Sequence, residues 1–268
     1  MNYWTELSAK FAQQRDYLDQ LYKVYPICPN EKRMLTHEYE EEVTRAFDNG
    51  DNAKLVKVLL KNEIFSIKDS FVAYLRKDPS AIERNPQTVN RIAGNLRQIG
   101  TAEVLERCTE PKETNRQMGP LFKKWIDKGV IGAPIFDNFN DFLQCESNCI
   151  LNMSDEEMKA FAKRYLGYRR EKGIDFIGKF NHKYILGEAK FLTDTGGHQN
   201  AQFEDAISTM QADFSNKTVD NEVVPIAILD GVLYIASKKG NKMYKYLEQH
   251  GDQTIMSALV LREFLYQV

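Results

Sequence analysis

At Gly173 the spacing of apolar residues changes from helical to alternating, and this switch divides the chain into two kinds of structure. Upstream, apolar residues recur three and four apart. Trp4, Leu7, Phe11, Leu18, Leu21 and Tyr22 predict a helix over Tyr3 to Tyr25, closed by Pro26. Further helices are expected over Leu35 to Phe47, through Leu55 to Leu60 with Asp51 or Asn52 as cap, and over Ile67 to Arg76. Asn85 to Cys108 reads as two helices joined around Ile99-Gly100-Thr101, the outline of a helix-turn-helix in which Arg91 and Arg97 belong to a solvated face. A polar connection spans Thr109 to Asn115. A short helix carries Leu121, Phe122, Trp125 and Ile126, and Val130 to Leu151 is expected to be irregular. Ser154 and Glu157 form a capping-box signal for a helix that ends near Gly173.

Beyond Gly173, Ile174 to Phe180 and Lys183 to Phe191 alternate with period two around a turn at Asn181-His182, which predicts a β-hairpin. A helix is expected over Gln199 to Asp213. Glu222 to Leu229 is a buried strand, turned at Asp230-Gly231 into a second strand, Val232 to Ala236. A helix over Asn241 to Gln249 and an apolar segment over Ile255 to Leu265 follow.

In the second hairpin strand, Glu188 and Lys190 share one face with Tyr184 and Leu186, while Gly187 and Ala189 point the other way. Asp175 lies on the first strand, on the face of Ile177 and Lys179, at a distance from which the hairpin can bring it beside Glu188. Two carboxylates bind a hard divalent cation through oxygen. A lysine beside them can orient or deprotonate a water and steady negative charge on a phosphorane-like transition state. This is the chemistry of phosphodiester hydrolysis.

The constellation Asp175 with Glu188-Ala189-Lys190, on a hairpin between helices, resembles the PD-(D/E)xK nuclease core, and within it the type II restriction endonucleases. Over residues 154 to 237 the resemblance implies an α/β, restriction-endonuclease-like core, a mixed central sheet flanked by helices. It also implies a Mg²⁺ site on Asp175 and Glu188, and cleavage of double-stranded DNA to 5′-phosphate and 3′-hydroxyl ends. Ile174 stands where the motif's name has proline. The expected organisation is a helical region over 1–110, offering a DNA-recognition subdomain, and a catalytic core with recognition insertions over 111–268.

DNA contacts are expected from Asn115, Arg116, Gln117, Lys123 and Lys124 ahead of the core, and from His198, Gln199, Asn200 and Gln202 after the catalytic strand. Glu157 and Glu171 are candidates for a helix acid completing the metal site. A two-fold target is read most simply by a homodimer. Two rivals are a repair or junction-resolving nuclease with the same cluster, and a non-catalytic DNA-binding protein built on the helix pair.

Composition limits these readings only loosely. With 43% hydrophobic residues in 268, the chain can build a substantial core, and its net charge of -2 calls for any DNA-binding charge to be local. Cys28, Cys108, Cys145 and Cys149 lack zinc-site spacing and read as free thiols. The charged N-terminal stretch is neither signal peptide nor membrane anchor, so the cytoplasm is the expected compartment.

Overall fold

A computed structural model describes residues 1–26, 32–111, 117–194, 197–235 and 242–268, without the side chains of His198, Lys242 and Met243. The chain forms two compact units, one of Met1–Ile27 with Thr114–Val268, the other of Cys28–Glu113. This division differs from a single boundary near residue 110. The first helices belong with the sheet because their small polar residues fit its edge: Thr5 donates to the Ile255 carbonyl at 2.7 Å, and Ser8 Oγ accepts from Ser257 N at 2.9 Å. The expected helix over Tyr3 to Tyr25 is two, α1 (Tyr3–Ala12) and α2 (Tyr17–Val24), broken at a polar turn.

The smaller unit is helical: α3 (His37–Asp48), α4 (Asn52–Leu59), α5 (Val72–Lys77), α6 (Ala81–Arg84), α7 (Pro86–Ile99) and α8 (Thr101–Cys108). Asp51 caps α4 through Lys54 N. Val43, Leu55, Leu59, Ile92, Leu96 and Val104 close its core. The helix pair is present, with Gly100 at φ +91° between α7 and α8, but Arg97 does not lie idle on a solvated face. It donates to the Phe47 and Ala46 carbonyls at the end of α3 and to Asn52. A cation is favoured there because the last carbonyls of a helix are unsatisfied and carry partial negative charge. The outer face of α8 carries Glu103 and Glu106, which pair with Arg107 and Lys32.

The larger unit continues with α9 (Met118–Asp127), β1 (Ile135–Phe136), α10 (Phe139–Gln144), β2 (Cys149–Leu151), α11 (Asp155–Tyr165), β3 (Phe176–Phe180), β4 (Lys183–Leu192), α12 (Gly197–Met210), β5 (Val223–Gly231), α13 (Lys242–Gln249), β6 (Ile255–Met256) and α14 (Ala258–Gln267). Among the described residues the strands form one six-stranded mixed sheet in chain order. β2, β3 and β4 are antiparallel neighbours, whereas β1 runs parallel to β2, and β5 runs parallel to both β4 and β6. The chain is therefore of the α/β class.

The hairpin follows the alternation of its sequence. Asn181 and His182 both have positive φ, 48° and 61°, the geometry of a two-residue turn whose twist matches the strands. Ile177, Tyr184 and Leu186 face one cluster with Met158 and Phe161 of α11, while Phe176, Phe180, Ile185 and Ala189 face the other. Lys179 caps α10, donating to the carbonyls of Phe142, Leu143 and Cys145.

Three further expectations are corrected. The segment from Val130 to Leu151 contains β1, α10 and β2, whose strands are too short to show a period and are defined by pairing. Val232–Tyr234 is a 3-10 turn rather than a strand. Asp230 is paired within β5, one residue before its end, instead of turning it, and Ala236 lies outside the described residues.

Candidate active site

The hairpin pairing persists just below β3, where Asp175 N donates to Gly187 O at 3.1 Å, and this sets Asp175 against the segment Glu188-Ala189-Lys190. Gly187 is bare because a β-carbon there would meet Ile226 Cγ1 of β5 at 2.9 Å. With its opposite face packed in this way, β4 holds Glu188 and Lys190 on one side at fixed height.

Asp175 Oδ2 accepts from Ala189 N at 2.8 Å and from Lys190 Nζ at 3.2 Å. Lys190 Nζ also lies 2.9 Å from Glu188 Oε1 and donates to the Ala189 carbonyl at 3.1 Å. Glu188 is fully buried. Its Oε2 accepts from Thr209 Oγ1 at 2.8 Å, while Oε1 is held by charge alone, with Lys172 Nζ at 3.5 Å as a second cation. Lys172 is shared with Asp205, 2.8 Å away. Burial raises the Asp175 carboxyl above its usual range, against the pull of Lys190 and the Ala189 N–H. Desolvation pushes the Lys190 ammonium down, but the charges of Asp175 and Glu188 outweigh it and hold it above the ordinary lysine range.

The remaining candidates are scattered. Asn115, Arg116 and the His198 side chain lie outside the described residues. Gln117 precedes α9 and is half-buried. Lys123 turns toward the start of α11, donating to Met153 O at 2.8 Å and pairing with Asp155, and Lys124 is exposed. Gln199 is buried and accepts from Thr193 N at 3.2 Å. Asn200 keeps a buried Oδ1 without a hydrogen bond, and Gln202 is half-buried on α12. Neither helix acid joins the cluster: Glu157 closes the capping box with Ser154, and Glu171 pairs with Lys163 and Lys159.

The residues that complete the cluster, Arg170, Lys172, Asp205 and Thr209, were not singled out in the sequence. Two signals were available, the basic residues of Arg170-Glu171-Lys172 just before the hairpin and the i,i+4 spacing of Asp205 and Thr209 on one helical face.

The donor set suits a hard divalent cation. Asp175 and Glu188 offer carboxylate oxygens, and the buried Oε1 of Glu188 accepts no hydrogen bond. Among the described residues no group of three or more His, Cys, Asp or Glu is arranged to hold a metal ion; Asp175 and Glu188 would hold one through two carboxylates, with water completing its shell. Among the described residues no helix is long and apolar enough to cross a membrane.

Comparison with curated proteins and with solved structures returns no match. The model of one protein family, described as Tsp45I type II restriction enzyme, matches residues 2–268. A match of that extent, over a mixed sheet carrying two acids and a lysine at one point, places the chain: it belongs to the Tsp45I type II restriction enzyme family.

Proposed function

We propose that Asp175, Glu188 and Lys190 are the catalytic residues with which this restriction enzyme hydrolyses double-stranded DNA at a specific sequence, with Mg²⁺ as its cation, on a PD-(D/E)xK core. The observation that carries the reading is the meeting of two buried carboxylates at one ammonium, 3.2 and 2.9 Å from Lys190 Nζ. Burying these charges costs several kcal/mol unless they are compensated. A site that supplies the compensation on an otherwise apolar strand is one built for chemistry.

Asp175 and Glu188 would hold the cation through carboxylate oxygens. When bound, the ion supplies positive charge that polarises the scissile phosphate and eases loss of a proton from the attacking water. Lys190 orients that water and offsets the negative charge growing on the phosphoryl oxygens. Water attacks phosphorus, the bond to the 3′ oxygen breaks, and the leaving oxygen takes a proton, giving 5′-phosphate and 3′-hydroxyl ends.

Target recognition is assigned to the helical unit of residues 28–113 together with Asn115, Arg116, Gln117, Lys123, His198, Gln199, Asn200 and Gln202. The working form is a homodimer, because both strands of a two-fold target must be cut; sedimentation with bound DNA checks this, and a monomer alone would refute it. A helix-turn-helix reading of α8 is disfavoured by its outward Glu103 and Glu106, which would meet phosphates of like charge.

Digestion of a plasmid of known sequence tests the function. Wild type with Mg²⁺ is expected to give discrete fragments, and Glu188→Ala none. Cutting confined to branches or ends, or equal cutting by Glu188→Ala, would refute the reading.

A further inference from the structure

Thr209 has one hydroxyl proton and two oxygens within reach of it. Its Oγ1 lies 2.8 Å from Glu188 Oε2 and 3.1 Å from the carbonyl of Asp205, one turn earlier on α12. A threonine inside a helix commonly gives its proton to that carbonyl. Arg170 changes the balance. Its Nη1 donates to Asp205 O at 3.2 Å, occupying the competing acceptor, and to Thr209 Oγ1 at 3.0 Å, filling a lone pair of the hydroxyl. The proton is then best given to the carboxylate, the stronger acceptor, in a bond strengthened by the charge at either end of the chain.

The consequence falls on Glu188, which is fully buried, as is Thr209. With Oε2 pinned, Oε1 is turned to the side where Lys190 lies at 2.9 Å and Lys172 at 3.5 Å. Asp205, on the same helix face, holds Lys172 at 2.8 Å, so consecutive turns of α12 act on both oxygens of one carboxylate. We propose that Arg170 and Thr209 form a positioning relay that locks the Glu188 carboxylate with Oε1 presented to the divalent cation, and so sets the affinity of the site for that ion. Neither residue touches the reacting atoms. The relay rests on the reading of Asp175, Glu188 and Lys190 as the catalytic cluster.

The test is calorimetric titration of the full chain with Mn²⁺, alongside circular dichroism, thermal unfolding, and single-turnover cleavage across a range of Mn²⁺ concentrations. Thr209→Val and Arg170→Gln are expected to weaken Mn²⁺ binding by about tenfold or more while Thr209→Ser stays within about threefold of wild type, the size of effect expected when an outer hydrogen bond to a ligand is lost or kept. The cleavage curve of the first two variants moves to higher Mn²⁺, and that of Thr209→Ser does not. A folded Thr209→Val with wild-type Mn²⁺ affinity overturns the proposal. Should the valine variant fail to fold, wild-type affinity in Arg170→Gln, whose side chain is partly exposed, overturns it equally. Glu188→Gln separates the two levels. If it binds Mn²⁺ and cleaves as wild type does, the catalytic reading fails and the relay with it. If it loses both while Thr209→Val and Arg170→Gln lose neither, the relay alone fails.

Discussion

The Asp175 carboxylate accepts a hydrogen bond from the backbone N–H of Ala189 at 2.8 Å, so the first acid is tied to the residue that separates Glu188 from Lys190. Spacing within β4 and position across the hairpin are thereby fixed together. Several consequences of this arrangement can be measured.

Replacing Lys190 with Met leaves two buried carboxylates facing each other without their shared cation. The expected loss is about 3 kcal/mol of stability near pH 8, in the range found when one partner of a buried ion pair is removed. Asp175 has a raised pKa in the fold, so the folded state holds its proton more tightly than the unfolded chain, and stability falls as pH rises through that folded value. Without Lys190 the value rises further. Urea denaturation at pH 5 and pH 8 is therefore expected to show the smaller loss at pH 5, and equal losses would contradict this picture.

A second buried acid behaves alike. Asp230 accepts from Tyr25 Oη at 2.9 Å, from Ala258 N at 3.2 Å and from Ser257, pairs with no cation among the described residues, and burial pushes its pKa up to about 6. Because that lies above the unfolded value, stability is greatest below the ordinary carboxylate range and is lost as pH rises toward 6. The loss amounts to about 3 kcal/mol, from about two pKa units. Asparagine can keep all three contacts, accepting from Tyr25 and Ala258 and donating to Ser257. Asp230→Asn is expected to raise the melting temperature at pH 7.5 and to flatten its dependence between pH 4 and 6, which differential scanning calorimetry reads directly.

Gly231 tests the close approach of β4 and β5. With φ at +101°, an added β-carbon would stand 2.1 Å from Leu192 O, a backbone atom that cannot swing aside. Gly231→Ala is expected to cost about 3 kcal/mol or more through strain and displaced strands. Chemical denaturation measures the cost, and a change under 1 kcal/mol, the usual size of a tolerated substitution, would show that the strands are not held as described.

Much of this was legible in the sequence, for identifiable reasons. The hairpin was readable because period two and a two-residue turn are local signals, and Glu188 and Lys190 share a face by spacing alone. The capping box at Ser154 and Glu157 was local as well. What failed depended on partners distant in sequence. β1 and β2 are too short to carry a pattern, and only pairing with the hairpin defines them. Asp230-Gly231 has the composition of a turn, yet the aspartate is buried at the end of a strand because Ser257 and the start of α14 lie there to receive it. Arg170, Lys172 and Thr209 acquire meaning only where α12 crosses behind Glu188.

The capping box has its own test. Ser154→Ala removes the acceptor for Glu157 N and is expected to cost about 1 kcal/mol, as caps usually do. Thermal unfolding measures it. No change in the melting temperature would mean that the start of α11 is held by other contacts.

The most direct test of the catalytic cluster is single-turnover cleavage of a short duplex carrying the target sequence by Asp175→Asn, Glu188→Gln and Lys190→Met, each first shown to be folded. Each substitution is expected to slow cleavage by about a thousandfold or more, because charge placed at a transition state accounts for losses of that order when removed. A folded variant of any of the three that cleaves within about tenfold of wild type, a loss of only 1.4 kcal/mol in the barrier, would contradict the assignment.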